Sequence, residues 1–302
     1  MNNSIELVKT FKNKNYYKSA NWNIEYAIRH IIRLDNQIIE ISYFNHYYND
    51  RFIKSALELP VSFGCPISCR YCASGQIKKN KNLTAEQILS LYTFSLKENN
   101  LAANQNLLIT FTGIGEGALN FQNIYDATLK IQKDNPKARF TFSTVGIKYE
   151  YFQLVDGLSS MINSHYLQIT YIHNIKGKIY KLIPNLKRYK FSMESVVAAI
   201  SLLKNIKPRI NIVLFKDFND SIDDWKGFDN LFNKLKQKIR IRITSLNQTE
   251  ASCSNNLEPV NADTLDLLNN FLIEKDYDSY VYHTDINDNL NCGQLIWNYD
   301  ND

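Results

Sequence analysis

In Leu59-Pro-Val-Ser-Phe63-Gly-Cys65-Pro-Ile-Ser-Cys69-Arg-Tyr-Cys72, a short apolar strand candidate runs directly into three cysteines with the spacing C-x3-C-x2-C. Three thiolates on one loop can bind three irons of a [4Fe–4S] cube. The fourth iron then has no protein ligand, and an open corner is what a cluster needs in order to bind a substrate or a cofactor. The spacing therefore predicts that Cys65, Cys69 and Cys72 hold a cluster with one free iron.

Zinc is the alternative metal for the same thiols, with a fourth ligand from Cys253, Cys292 or one of the five histidines. Structural zinc sites favour paired C-x2-C knuckles, which this spacing does not supply. Disulfides are not expected, because the first residues lack the basic and apolar regions of a signal peptide. No apolar run approaches the length of a membrane span. We therefore expect a cytoplasmic chain with reduced thiols.

Length and composition permit one large core. The 302 residues suit one large or two modest domains, and 22% charged with 13% aromatic residues describe an ordinary globular protein. The net charge of +5 is mildly basic. It allows a nucleic-acid partner without requiring one.

After about residue 57 the chain alternates short strands with longer amphipathic helices. The strand candidates are residues 59–63, 107–112, 139–143, 166–171, 209–215, 239–245 and 279–283. The helix candidates begin at the capping box Thr84-Ala85-Glu86-Gln87 and continue at 121–133, 193–205, 220–236 and 262–275. Repeated βα units predict a parallel sheet with helices outside it. They are too few for a closed eight-fold barrel, so we expect an α/β fold with a partial (β/α)6 barrel.

The alternation in one strand candidate predicts which side chains face the inside of this barrel. Ile239-Arg240-Ile241-Arg242-Ile243-Thr244 alternates strictly, which places the isoleucines against the helices and the polar side chains in the lumen. Arginines inside a barrel are costly unless they meet an anion. A carboxylate or phosphate of a bound ligand would serve. A strand with one solvated face is the alternative interpretation.

Residues 1–56 have a different pattern and are predicted to form a small N-terminal α/β extension. We expect a short helix near residues 23–30, followed by a hairpin that turns at Asp35-Asn36-Gln37. Residues 57–302 then form the core barrel, which ends in a C-terminal cysteine loop.

The cysteine motif, with Tyr71 before its third cysteine, resembles that of the radical S-adenosylmethionine (SAM) superfamily. Further segments, from about residue 33 to 297, resemble its RlmN/Cfr family of RNA adenine methyltransferases. The resemblance implies a [4Fe–4S] cluster whose free iron is chelated by SAM. It also implies an external electron donor such as flavodoxin or ferredoxin. We expect a divergent, short form, without the accessory RNA-binding domain that typically precedes the family's core.

Two segments resemble SAM-binding motifs of that family closely. Gly113-Ile-Gly-Glu resembles G-x-G-E-P, with Gly117 in place of the proline, which implies that Gly115 and Glu116 bind SAM's amino group. Phe-Ser143-Thr-Val-Gly resembles L-S-T-S-G, which implies a SAM contact from Ser143.

Two further SAM contacts follow from position alone. Thr170 stands where the family has a Ser-Leu-His contact, and the nearby His173 is one place out of register. Asn247, after the strand candidate 239–245, matches a SAM-binding asparagine. Each is also a residue type found in ordinary turns and caps.

The motif Asn291-Cys292-Gly-Gln-Leu resembles the C-G-Q-L that ends the family's core, whose cysteine carries the methyl group. Adenine C2 and C8 are not nucleophilic, so direct transfer from SAM fails. In the family one SAM methylates the cysteine, and a second SAM is cleaved to a radical that activates that methyl. The resemblance implies this role for Cys292; a small buried thiol is the alternative.

Release of the product requires a base and, in the family, a second cysteine. Glu40 resembles the hairpin residue that accepts the proton, and a desolvated carboxylate would have a suitably raised pKa. Glu58 stands where the second cysteine is expected and cannot form a disulfide. Cys253 is a possible substitute, or a plain loop cysteine.

Two basic stretches are candidate RNA contacts. One runs from Lys176-Gly-Lys-Ile-Tyr-Lys181 to Lys187-Arg-Tyr-Lys190 and interleaves tyrosines, and the other is Lys78-Lys-Asn-Lys81. The leading prediction is thus a methyltransferase acting on ribosomal or transfer RNA. The alternatives are a radical SAM enzyme for a small molecule or peptide, and a non-catalytic, metal-stabilised binding protein.

Overall fold

The computed structural model describes residues 4–18, 22–78, 80–102, 105–282 and 294. Over these residues it shows a ten-stranded sheet whose strands follow one another in sequence order. The strands are β1 (Ile5–Lys18), β2 (Trp22–Leu34), β3 (Gln37–Tyr48), β4 (Arg51–Leu59), β5 (Leu107–Phe111), β6 (Arg139–Thr144), β7 (Ser164–Tyr171), β8 (Pro208–Leu214), β9 (Arg240–Ser245) and β10 (Asp278–Val281).

The first four strands form an antiparallel meander. The predicted hairpin is confirmed: Asp35 and Asn36 join β2 to β3, both with positive φ, as a tight two-residue turn requires. Asn49 and Asp50 make the turn between β3 and β4 with the same backbone geometry.

The predicted helix near residues 23–30 is wrong, because β2 covers that segment. Its apolar residues, such as Ile24, Ala27 and Ile31, have helix-like spacing and are all buried. However, β2 pairs with β1 on one side and β3 on the other over nearly its whole length. Two strand partners satisfy its backbone groups, and this tertiary pairing overrides the local pattern. In the described residues the extension is therefore all β.

From β4 to β10 the strands are parallel, and helices connect them. The helices are α1 (Ala85–Glu98), α2 (Phe121–Asp134), α3 (Glu150–Ser159), α4 (Lys176–Leu182), α5 (Met193–Ser201), α6 (Ile222–Phe232), α7 (Glu250–Ser254) and α8 (Ala262–Glu274). Among the described strands β10 pairs with β9 alone, so the barrel is open. The predicted α/β fold is confirmed.

Several boundaries differ from the predicted ones. The strand expected at 59–63 lies earlier, because β4 ends at Leu59 and Pro60, which has no N–H for a ladder, follows it. The capping box of α1 is confirmed, since Thr84 and Gln87 bond each other's backbone N–H groups. Helices α3, α4 and α7 were not predicted.

The two faces of the parallel sheet differ in polarity. Ile239, Ile241 and Ile243 are at most 1% exposed and lie in the main hydrophobic core, as the alternation predicts. Arg240 and Arg242 lie on the opposite, inner face. There Arg240 pairs with Asp278 (Nε–Oδ1 3.4 Å), and Arg242 donates to Asn211 (Nε–Oδ1 2.6 Å). The polar inner face is where a ligand can bind.

None of the helices in the described residues is both long and apolar enough to cross a membrane.

Candidate active site

The three cysteines lie on a loop that follows β4 at the carboxyl end of the parallel strands. Cys65 N–H donates to the carbonyl of Ser74 (3.1 Å), and Cys72 N–H donates to that of Cys69 (3.2 Å). A short 3-10 helix, Ala73–Gln76, closes the loop. A Cβ added at Gly75 would lie 3.0 Å from the backbone N and O of Cys69, so this glycine permits the tight packing.

The thiols are neighbours in an apolar environment. Cys65 and Cys69 are buried and Cys72 is half-buried. Burial, followed by the charge of Cys72, raises the pKa of Cys65 to about 12. Burial, followed by the charges of the other two thiolates, raises the pKa of Cys69 well above its usual value. Thiolates here therefore need a cation beside them.

The three cysteine side chains do not form a preorganised metal site. Among the described residues, no three His, Cys, Asp or Glu side chains lie close enough together to hold a metal ion. The donor set is nevertheless the one that fits an iron–sulfur cluster: three thiols lie on one loop, Cys72 is close enough to affect the pKa of both other thiols, and Cys65 affects that of Cys69. Residues Cys65, Cys69 and Cys72 fit the group by their chemistry.

Neighbouring elements hold the loop by its backbone carbonyls. The Thr249 hydroxyl donates to Tyr71 (3.1 Å), and the Asn255 amide donates to Arg70 (3.2 Å), both from α7 or its cap. The Asn185 amide donates to Pro66 (2.8 Å). The sequence did not indicate these contacts, because they join segments more than a hundred residues apart.

The G-x-G-E segment forms the turn after β5 and packs on the start of the cysteine loop. Gly113 and Gly115 have φ values of +87° and +110°. A Cβ at Gly115 would lie 2.6 Å from Cγ2 of Val61 and still closer to the Ser62 hydroxyl, so only glycine fits. Val61 N–H in turn donates to the carbonyl of Ile114 (2.9 Å).

Glu116 joins two turns at this end of the barrel. It is 5% exposed; Oε1 accepts from Ala118 N–H (3.1 Å) and Oε2 from Val145 N–H (2.9 Å), just after β6. Burial raises the pKa of this carboxyl, against the effect of its hydrogen bonds. The carboxylate therefore positions the turns after β5 and β6 relative to each other.

The other predicted SAM contacts lie along the same edge. Ser143 and Thr170 are the second-last residues of β6 and β7, and Asn247 follows the end of β9. The Ser143 Oγ is buried and has no hydrogen-bond partner in the described part of the chain. Parallel strands end at one edge of a sheet, so these residues lie along the rim that carries the cysteine loop.

Gln294, in the C-terminal motif, bridges this rim to the N-terminal strands. Its amide donates to the carbonyl of Gln248 (2.6 Å), next to Asn247, and its carbonyl accepts from Arg29 (2.6 Å). Arg29 also pairs with Glu40 (Nη1–Oε2 3.2 Å), and both side chains are 5% exposed. Cys292 lies outside the described residues.

Glu58 faces this same cluster. It lies opposite Ser42 in the β3–β4 register, and the Arg29 Nε donates to the Ser42 hydroxyl (3.2 Å). Burial raises the pKa of Glu58, although the positive charges of Arg29 and Arg242 oppose the shift. The site thus contains a buried ion pair and a carboxyl that retains its proton more readily than usual. The sequence analysis did not identify Arg29 as a site residue, because the strand that carries it was predicted to be a helix.

Two sequence candidates lie elsewhere. Cys253 is exposed on α7. His173 is 1% exposed, its Nδ1 accepts from Ile175 N–H (2.9 Å), and its Nε2 contacts Oδ1 of Asp224 (2.8 Å). Burial lowers the pKa of His173. Both ring nitrogens of His173 already have partners within the chain. The neutral ring therefore connects the segment after β7 to α6, and neither nitrogen is left to bind a ligand.

The long basic stretch lies beside the cysteine loop. It forms α4 and the 3-10 helix Pro184–Tyr189, and the carbonyl of Leu182 accepts from Arg70 N–H (2.9 Å). Lys178 pairs with Asp224 (2.9 Å), whereas Lys187 and Arg188 are exposed. Part of the stretch is therefore structural and part can contact a ligand. In the second stretch, Lys78 and Lys81 are exposed and residue 79 lies outside the described residues.

Comparison with known proteins identifies relatives and structural neighbours. No family model matches the chain. It is 28% identical over 324 residues to the dual-specificity RNA methyltransferase RlmN of Buchnera aphidicola subsp. Acyrthosiphon pisum, covering 99% of this chain and 84% of that protein. It is 25% identical to the RlmN of Wigglesworthia glossinidia brevipalpis, over 76% of this chain and 68% of that protein.

Solved structures agree on the fold. A radical SAM methyltransferase from Sphaerobacter thermophilus superposes with a TM-score of 0.74 at 17% identity, covering 97% of this chain and 81% of that one. Spore photoproduct lyase superposes with a TM-score of 0.53 at 12% identity, over 74% and 75% of the two chains.

Proposed function

We propose that the chain is an RlmN-like radical SAM methyltransferase, which adds a SAM-derived methyl group to an adenine carbon in RNA. The observation that carries this proposal is the alignment of 99% of the chain with an RNA methyltransferase. The arrangement of the rim supports it, since the cysteine loop, the turns after β5 and β6 and Gln294 lie at one end of the barrel.

The cofactors of such an enzyme are a [4Fe–4S] cluster and SAM. Cys65, Cys69 and Cys72 would hold the cluster, which supplies the electron that cleaves SAM when both are bound. Gly115, Glu116, Ser143, Thr170 and Asn247 are the SAM contacts we propose. Among them Glu116 keeps two turns in place, and the buried Ser143 hydroxyl has hydrogen-bonding capacity to spare. Cys65 and Cys69 are buried, which would limit the access of water to the cluster.

Cys292 is the proposed methyl carrier. Gln294, two residues later, is tied to Gln248 on one side and to Arg29 on the other. Gln294 therefore connects the segment after β9 to the Arg29–Glu40 ion pair, which supports a role at this site for the nearby Cys292. Precise placement is what such a transfer requires of the protein.

Two carboxyl groups are candidates for the proton acceptor that resolves the adduct. Glu40 is held in an ion pair with the buried Arg29 (Nη1–Oε2 3.2 Å). Glu58 has a raised pKa and therefore accepts a proton more readily. We propose that Glu58 shares or takes over the role first assigned to Glu40.

RNA would bind along the basic stretch beside the cysteine loop. Lys187 and Arg188 are exposed there, and the Lys187 ammonium lies 5.7 Å from the centre of the Tyr180 ring. Such a surface can bind phosphates while its aromatic rings stack on bases. The electron donor would be a flavodoxin or a ferredoxin.

Mass spectrometry of the Cys292 peptide tests the function. The protein is reconstituted anaerobically with iron and sulfide and supplied with methyl-deuterated SAM. We expect a labelled methyl on Cys292 that is absent in Cys292→Ser and retained in the control Cys253→Ser. An unmodified Cys292 beside abundant 5′-deoxyadenosine would contradict the methyltransferase and leave another radical reaction.

A second candidate is a radical SAM enzyme that acts on a small molecule or a peptide. The observation that favours it is Glu58, a carboxyl where the family uses a cysteine to release methylated RNA. Stimulation of SAM consumption by added RNA separates the two candidates. RNA accelerates the RNA methyltransferase, and it leaves the other enzyme unchanged.

A further inference from the structure

A second group of charged residues lies at the opposite end of the barrel, where the parallel strands begin. Lys54 on β4, Arg139 on β6, Arg209 on β8 and Arg240 on β9 all lie near the amino ends of their strands. We refer to these four residues as the basic mouth. The β8–β9 register pairs Arg209 with Arg240. Each of the four is neither fully buried nor fully exposed, as expected for the lining of an opening.

The basic mouth is short of negative charge. Asp278 pairs with Arg240 (3.4 Å) and with Lys207 (3.7 Å). Within the part of the chain that the structure describes, no hydrogen bond or ion pair brings a carboxylate to Lys54, Arg139 or Arg209. The Arg139 guanidinium donates to the amide oxygen of Asn106 (3.5 Å), which carries no charge.

These positive charges contribute to lowered pKa values of neighbouring titratable groups. Burial, followed by the charges of Arg139 and Arg209, lowers the pKa of Lys54 to about 8. Burial, followed by the charge of Lys54, lowers the pKa of His46 to about 3. Burial and then the same cations also lower the pKa of His165 to about 3. Both imidazoles are therefore neutral near pH 7, and among the described residues the charges of Lys54, Arg139 and Arg209 repel one another with no carboxylate paired to them.

Aromatic rings hold the guanidinium groups in fixed positions. Arg209 lies over Tyr166 (4.7 Å to the ring centre) and donates to Oε1 of Gln168. Arg240 lies over Tyr280 (4.9 Å) and donates to the Tyr166 hydroxyl (3.2 Å). The Nε of Arg209 is buried and has no partner among the described residues. The donors are thus positioned before any ligand arrives.

We propose that the basic mouth binds a phosphate-bearing anion. Fixed guanidinium forks match the oxygens of a phosphate, and several cations around one opening suit a ligand with several phosphates. Binding relieves the repulsion among Lys54, Arg139 and Arg209, which otherwise lowers the stability of the fold. The ligand is a free polyphosphate or the backbone of an RNA strand. The inference does not rest on methyl transfer, because it is tested by equilibrium binding.

Calorimetric titration of the full chain tests the proposal with two probes, inorganic tripolyphosphate and a single-stranded oligoribonucleotide. We expect at least one probe to bind, with an affinity that falls as salt rises. Arg209→Gln should lower that affinity by about tenfold or more, since it removes a fixed charged donor. Lys216→Gln is the matched control, because Lys216 is an exposed lysine paired with Glu258 beyond the other end of β8.

The outcomes separate the sources of the phosphate. Loss of tripolyphosphate binding alone in Arg209→Gln assigns the mouth to a free polyphosphate, and loss of oligonucleotide binding assigns it to RNA. The proposal is overturned if neither probe binds, or if Arg209→Gln and Lys216→Gln weaken binding equally.

A second measurement needs no variant. The lowered pKa makes Lys54 reactive toward acylation near pH 8, and peptide mass spectrometry can compare it with Lys216. We expect saturating tripolyphosphate or oligonucleotide to protect Lys54 and to leave Lys216 unchanged. Equal labelling of Lys54 with and without both probes contradicts the proposal, even if Arg209→Gln fails to fold.

Discussion

Glu58 shows how one residue can couple pH to stability. Burial raises its pKa above the usual value of 4.5. At low pH the carboxyl is protonated in both the folded and the unfolded chain. As pH rises past the unfolded pKa, the unfolded chain loses its proton first, so folding stability decreases until the folded carboxyl has also ionised.

We therefore expect Glu58→Gln to raise the melting temperature at neutral pH and to have little effect near pH 4. Thermal unfolding of both proteins across this range measures the difference. Glu6→Gln is the control, since its exposed carboxylate pairs with Arg33 at the surface. A shift of equal size at every pH would mean that titration of Glu58 is not the cause.

Gly115 occupies a position that only glycine fits. Gly115→Ala combines a positive φ with a clash against Val61, so it should cost about 1–3 kcal/mol of folding free energy. Urea unfolding gives the cost. Gly157→Ala is the control: nothing lies within 4 Å of the added Cβ on α3, and we expect a gain of about 0.5–1 kcal/mol. Equal changes in both variants would refute the steric argument.

At the scale of the element, one carboxylate joins helix α3 to the turn between α5 and β8. Asp156 on α3 is buried, and its Oδ1 accepts from the N–H groups of Lys204 (2.9 Å), Asn205 (2.7 Å) and Ile206 (3.2 Å). These donors follow α5 and lead into β8. Asp156 thus satisfies the backbone of a turn that has no strand partner.

Asp156→Ala should destabilise the fold by about 3 kcal/mol, because it removes the acceptor of three backbone N–H groups, of which that of Ile206 is buried. Chemical denaturation measures the loss. Asp126→Ala on α2 removes an exposed carboxylate that accepts from Gln122, and its effect should stay within about 0.5 kcal/mol. If both variants unfold at the same denaturant concentration, the turn does not depend on Asp156.

At the scale of the whole molecule, Arg29 joins the N-terminal strands to the C-terminal motif. It pairs with Glu40 on β3 and donates to the backbone of Gln294. A buried charge without its partner is costly. Arg29→Met should therefore lower the folding free energy by about 3–5 kcal/mol, whereas the double variant Arg29→Met/Glu40→Leu should recover much of that loss.

Thermal unfolding of the two variants and of Glu40→Leu completes the double-mutant cycle. If the stability losses of the two single variants add up to that of the double variant, Arg29 and Glu40 are not energetically coupled. Full recovery in the double variant together with loss of methyl labelling at Cys292 would separate the role of the pair in activity from its role in stability.

Part of this structure was predictable because local chemistry specifies it. The C-x3-C-x2-C spacing placed three thiols on one loop, and the Thr84 box began α1 at the expected residue. The alternation around Ile241 separated a buried face from a polar one. Each of these patterns spans fewer than about ten residues, so few long-range contacts compete with it. The positions of β5 to β10 followed from the same reasoning.

Other features depended on segments that meet only in the folded chain. The residues of β2 have helical spacing, yet β1 and β3 pair with it on both sides, and the satisfied ladder outweighs local preference. Arg29 acquired its role only through that pairing. The basic mouth gathers Lys54, Arg139, Arg209 and Arg240 from four strands, because parallel strands bring their amino ends to one edge. Sequence specified the chemistry of the cysteine loop, and tertiary pairing decided which distant charges lie beside one another.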